Sequence, residues 1–138
     1  MSQLKNKSVI NIAAAYEMQK QSFYCSSVHS SYYSCIQLML HLIIYKIGID
    51  QAKIADEHKK FKLANPMASA GLHEYYINLI LGHLRGKKLD ANAFNKEIFK
   101  LKKTRTAADY LDIGIGPDEC RYSIQQAEEI TKILTKAL

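Results

Sequence analysis

The sequence predicts an all-α protein, an antiparallel up-down bundle of four to five long helices with one short accessory helix. Three observations lead there. Apolar residues recur at steps of three and four along most of the chain, the spacing of one helical face. Only 6 Gly and 2 Pro occur in 138 residues, too few turn-formers for a many-stranded sandwich or barrel. The composition, 48% apolar and 23% charged, is that of a folded globular chain rather than a disordered one. The length suits one domain spanning 1–138.

The elements follow in order. Val9, Ile12, Ala13, Tyr16 and Phe23 fall near one face of a first helix, with Ser8 placed to cap it. A second helix begins near Ser26–Ser27 and runs to Ile47, stopping at Gly48. Its stripe of Val28, Tyr32, Cys35, Ile36, Met39, Ile43 and Ile47 is joined by Leu38, Leu40, Leu42 and Ile44 on other faces. A helix apolar nearly all round belongs in the middle of a bundle or at a subunit interface. Asp50 caps a short third helix through Phe61, and Asn65-Pro66 breaks the chain. A fourth helix covers Ala68 to Leu84. Asp90 caps a fifth that passes Phe94, Ile98 and Leu101 toward Tyr110. Gly114-Ile-Gly-Pro117 is a loop, and Asp118 and Glu119 open the last helix at the positive end of its dipole. That helix sets Cys120, Ile124, Ala127, Ile130, Leu134 and Leu138 on one stripe.

Several function classes fall away. The most apolar segment, Cys35 to Ile49, is interrupted by Gln37, His41 and Lys46, so no membrane span is expected. The first residues lack an apolar block with a small-residue cleavage site, which predicts a cytoplasmic protein. Cys25, Cys35 and Cys120 form no CxxC pair and are expected to be buried free thiols. None of the five histidines has a Glu three residues before it, so neither a metal nor another cofactor is expected. No nucleophile elbow and no phosphate-cradling Gly-rich loop occurs.

The charge, +6 in total, is uneven. Residues 85–105 carry 8 basic side chains against Asp90 and Glu97, whereas residues 106–138 carry 3 against 6 acidic ones. A basic block of this kind suits a phosphate-rich partner or a solvated helix face. Within it, Arg105 and Asp109 stand four apart and can pair on a helix, with Tyr110 burying its ring at the helix end.

The string Arg105-Thr-Ala-Ala-Asp-Tyr110 resembles the Arg-x-x-Ala-Asp-Tyr signature of HEPN-domain proteins. Ser30-Ser-Tyr-Tyr-Ser-Cys35 is similar to the family's Tyr-Tyr-Ala segment, and Gly71-Leu-His73 to its small-residue-plus-histidine segment; the last helix fits the family's ending. The resemblance runs over residues 8–138. It implies a four- or five-helix bundle, a homodimer, and a role as ribonuclease toxin, nucleic-acid-binding module or partner of a small nucleotidyltransferase. Ribonuclease branches place a histidine four to six residues after the arginine. Here all five histidines precede Arg105, and Asp109 and Tyr110 stand where that histidine would lie.

RNA cleavage without a metal needs a proton-transferring group beside the cation that stabilises the phosphorane. The expectation is therefore a non-catalytic, HEPN-like dimeric module that binds a nucleotide, RNA or a partner nucleotidyltransferase. Arg105, Asp109 and Tyr110 would line its cleft, and Lys100, Lys102, Lys103 and Arg85 would attract phosphate. The resemblance makes Tyr110 a candidate for modification by the transferase. A metal-independent ribonuclease toxin and a purely protein-binding subunit are the alternatives.

Overall fold

In a computed structural model, which describes residues 2–67 and 71–138, the chain forms six α-helices and, among the described residues, no strand. They are α1 (Gln3–Lys20), α2 (Tyr24–Leu42), α3 (Ile54–Ala64), α4 (Leu72–Gly86), α5 (Ala91–Tyr110) and α6 (Pro117–Thr135). Five are long and α3 is short, so the helical-bundle expectation holds. Among the described residues no single helix is long and apolar enough to cross a membrane.

The second helix is the centre of the bundle, as its all-round apolar pattern requires. Val28, Tyr32, Cys35, Met39 and Leu42 are fully buried on α2, which touches α1, α4, α5 and α6. Each large apolar side chain buried this way stabilises the fold by about 1.5–3 kcal/mol. The helix starts at Tyr24, earlier than the spacing suggested, and its last turn, Ile43–Ile47, widens into a π-turn. Gly48 ends it in the left-handed region at φ +90°, a conformation that favours a residue without Cβ.

The first helix departs from its expected face. Ser2, not Ser8, caps it by accepting the Lys5 backbone N–H at 3.1 Å, so it begins at Gln3, five residues before Ser8. Val9, Tyr16 and Phe23 are exposed, and the inward face carries Ser8, Ile12 and Ala15. Serines on α2 explain this. Ser8 Oγ donates to the Ser34 carbonyl at 2.7 Å, Ser34 Oγ returns a bond to the Ser8 carbonyl at 2.8 Å, and Ser27 Oγ donates to the Ala15 carbonyl at 2.7 Å. Two helices that approach through small side chains satisfy buried hydroxyls on each other's backbones, and apolar periodicity does not register such a face.

The remaining elements follow their local chemistry. Asp50 caps a 3-10 turn, Gln51–Lys53, through the Ala52 N–H, and α3 continues to Ala64 with only Ile54 buried. The fourth helix starts at Leu72 behind Gly71; the expected start at Ala68 lies outside the described residues. Asp90 caps α5 by accepting the Ala93 N–H at 2.9 Å. In α6 the Glu119 carboxylate accepts the Gly116 N–H at 3.2 Å, and Cys120, Ile124, Ala127, Ile130 and Leu134 are all buried on the predicted stripe. Cys35 and Cys120 are buried, whereas Cys25, in the first turn of α2, is only half-buried, because that turn stands at the rim of the bundle.

Candidate functional site

The inward face of α5 repeats at steps of four and three: Phe94, Ile98 and Leu101 are buried, and the next position is Arg105. The arginine is thus carried into the core by helical periodicity, with only 7% of its surface exposed. Opposite it, α2 presents Tyr32 on its own core stripe, with His29 and Tyr33 one step around the helix. The first turn of α4 adds His73. Three helices therefore bring basic, aromatic and imidazole groups to one place.

The Arg105 guanidinium lies over the Tyr32 ring at 4.6 Å and faces the Tyr33 and Tyr110 rings at 5.7 Å each. Its Nη2 stands 3.4 Å from His73 Nδ1, and its Nη1 stands 3.8 Å from Asp109 Oδ2. Asp109 is held more closely by His29, whose Nδ1 is 2.8 Å from the same oxygen. The Tyr32 hydroxyl reaches His73 Nδ1 at 2.9 Å. Because a guanidinium can only donate, this contact makes His73 Nδ1 an acceptor and puts the proton of the neutral ring on Nε2. The His73 ring also stacks on Tyr76 with centroids 5.9 Å apart.

The electrostatics leave a cation short of partners. Arg105 Nε is buried and has no hydrogen-bond partner, and the nearest carboxylate oxygen is beyond hydrogen-bond range. Burial works against the charged guanidinium, but the Tyr32 hydroxyl, Tyr33 and Asp109 outweigh it and hold its pKa above the ordinary value. Burial, then the charges of Arg105 and Lys102, push His73 below the usual imidazole range, with Glu74 opposing. His73 is therefore neutral near pH 7 and able to accept a proton. Burial raises the Tyr32 hydroxyl to about 12, so it stays protonated.

The predicted site residues do not all meet here. Arg105, Asp109 and Tyr110 do, although Tyr110 does not bury its ring as expected: it lies on the last residue of α5, 73% exposed. Lys102 is nearby but engaged by Glu74 of α4. Lys100 and Lys103 point into a different groove, of about 590 Å³ between α5 and α6, which also holds Glu97, Glu119 and Glu129. Arg85 lies twelve residues beyond His73 on α4, about 18 Å along its axis. The basic block is contiguous in sequence but dispersed around α5 and along α4.

Spacing did not pick out His29, Tyr32, Tyr33, His73 and Tyr76 as site residues, although Tyr32, Tyr33 and His73 lie in the segments that carry the HEPN resemblance. One local signal existed for the first three: His29, Tyr32 and Tyr33 stand at i, i+3 and i+4, so they share a helix face. Nothing in the sequence pairs that face with Arg105, 72 residues or more away. A cavity of about 390 Å³ opens beside the cluster, lined in part by Cys25, His29, Ala108 and Asp109. Among the described residues no group of three or more His, Cys, Asp or Glu could hold a metal ion.

Comparison with protein-family models, with curated proteins and with solved structures gave no match in any of the three. What the fold and site define is thus a class by architecture alone: a helical bundle with a buried arginine set among tyrosines and histidines.

Proposed function

We propose that the protein is a HEPN-like binding module that holds a phosphate-bearing ligand, a nucleotide or the end of an RNA, against Arg105. The observation that carries this reading is the buried guanidinium with an unpartnered Nε and no carboxylate within hydrogen-bond range. A buried guanidinium with a free donor and only a loose carboxylate pair gains a charge-assisted hydrogen bond from an added anion. Tyr33, His29 and Tyr110 supply partly or fully exposed rings on which a base can stack. Exposed apolar side chains at the same end, Phe23, Tyr110, Leu111 and Ile113, suit a second copy of the chain or a nucleotidyltransferase partner, with the Tyr110 hydroxyl accessible to modification.

The test is binding of a short labelled RNA and of a mononucleotide across a salt series, with Arg105→Met alongside. Binding that weakens with salt and is lost in the variant supports the reading. No binding by the parent protein at low salt overturns it.

A second reading, metal-independent RNA cleavage, is favoured by one specific observation. His73, a neutral imidazole carried by α4, stands 3.4 Å from the guanidinium, close enough to serve as the proton-transferring group that the residues after Arg105 lack. It would accept the 2′-hydroxyl proton at Nδ1, giving up the Tyr32 hydroxyl bond made there, as the 2′-oxygen bonds to phosphorus and the 5′-oxygen leaves, while Arg105 steadies the negative charge on the phosphorane oxygens. The same RNA samples decide it: cleavage that survives EDTA and disappears in His73→Gln makes the protein an enzyme, and intact RNA removes the reading.

A further inference from the structure

A second concavity has the opposite character. Between α3, α4 and the end of α2 lies a groove of about 440 Å³ that shares no lining residue with the cavity beside Asp109. Its floor is Leu40, Ile54, Leu72 and the Tyr76 ring, and its rim on α3 carries Lys59 and Lys62. Residues 51, 54, 55, 58, 59 and 62 line it, one face of the α3 segment, so the groove extends about 12 Å between positions 54 and 62. Among the described residues no carboxylate lines it, and neither Lys59 nor Lys62 makes an ion pair; Lys60, on the outer side, is the lysine that pairs with Glu57.

We propose that this groove binds a small amphipathic anion, an elongated apolar chain ending in a carboxylate or phosphate. The chemistry follows from the lining. An apolar floor removes hydrocarbon from water, and two unpaired ammonium groups one turn apart fix a negative head at the rim. The volume is that of a small-molecule site. The larger α5–α6 groove is no competitor for such a ligand, because Glu97, Glu119 and Glu129 share it with Lys100 and Lys103. The Tyr76 ring on the floor also stacks on His73, so the groove lies one ring away from the Arg105 cluster.

Isothermal titration with octanoate, 1-octanol and butyrate tests the proposal on the intact chain. Octanoate binds saturably at one site, octanol about tenfold more weakly for want of the head-group charge, and butyrate not measurably. A Lys59→Gln/Lys62→Gln variant weakens octanoate about tenfold, the size expected for two partly exposed charge contacts. Ala55→Trp, which fills the groove from an exposed position, abolishes binding while leaving the helical circular dichroism and thermal transition intact. Absence of saturable octanoate binding, equal affinity for octanol, or binding unaffected by Ala55→Trp each overturns it.

Discussion

Arg105→Met separates a ligand-binding arginine from a structural one. The substitution keeps a flexible apolar stem in the core position after Leu101 and removes the charge. On the losing side stand the cation–π contact to Tyr32 at 4.6 Å, worth about 1–2 kcal/mol when desolvated, and the loose Asp109 pair at 3.8 Å, worth about 0.5–1 kcal/mol. On the gaining side, removing a buried donor with no partner returns about 1–3 kcal/mol. Asp109 is not stranded, because His29 still holds it at 2.8 Å. With the 3.4 Å His73 contact, worth about 0.5–1.5 kcal/mol, also lost, the variant is expected to lie about 1–2 kcal/mol below the parent while ligand binding disappears. Urea unfolding at unchanged m-value reads the stability, and the labelled-RNA titration reads the function. A loss of more than about 2.5 kcal/mol, together with unaltered RNA binding, would show that Arg105 is a structural tie and refute the argument.

Three further outcomes are expected. Phe94→Ala, at a fully buried position on α5, costs about 3–5 kcal/mol in the same unfolding assay, and a loss below about 1.5 kcal/mol would mean that the core there collapses or is already loose. Stability falls as pH drops below about 6.5, because the His73 pKa is depressed in the fold and the unfolded chain takes up the proton first. The contribution is complete above the unfolded value and is lost as pH descends toward the folded one. His41 shifts the same way through burial and the charges of Lys5 and Lys46, so the diagnostic comparison is with His73→Gln, whose stability profile between pH 7 and 5 should be flatter than the parent's. Gly48→Ala destabilises by about 1 kcal/mol through backbone strain alone, since φ is +90° and no atom lies within 4 Å of an added Cβ; an unchanged melting temperature would contradict this.

Much of the architecture was legible because it depends on local periodicity. The repeat of Cys120, Ile124, Ala127, Ile130 and Leu134 marked α6, the caps Asp50 and Asp90 marked two element starts, and the all-round apolar pattern of α2 announced its central place. The same logic failed on α1, where Ser8 and Ala15 pack against Ser34 and Ser27, and hydropathy cannot distinguish a small buried serine from a solvated one. It also misjudged Tyr110, since periodicity does not say where the bundle stops covering α5.

The candidate site divides in the same way. Sequence alone carries the Arg105–Asp109 spacing, because both residues lie within one helix and obey its 3.6-residue turn, but it does not tell that the bundle covers α5 as far as Arg105. Only the tertiary structure decided that His29, Tyr32 and His73 surround that arginine, that Lys100 and Lys103 face carboxylates on α6, and that Arg85 stands at the far end of α4. Those relations come from how separate helices pack, through contacts spanning tens of residues, and a charge count along the chain carries no information about the face on which each charge emerges.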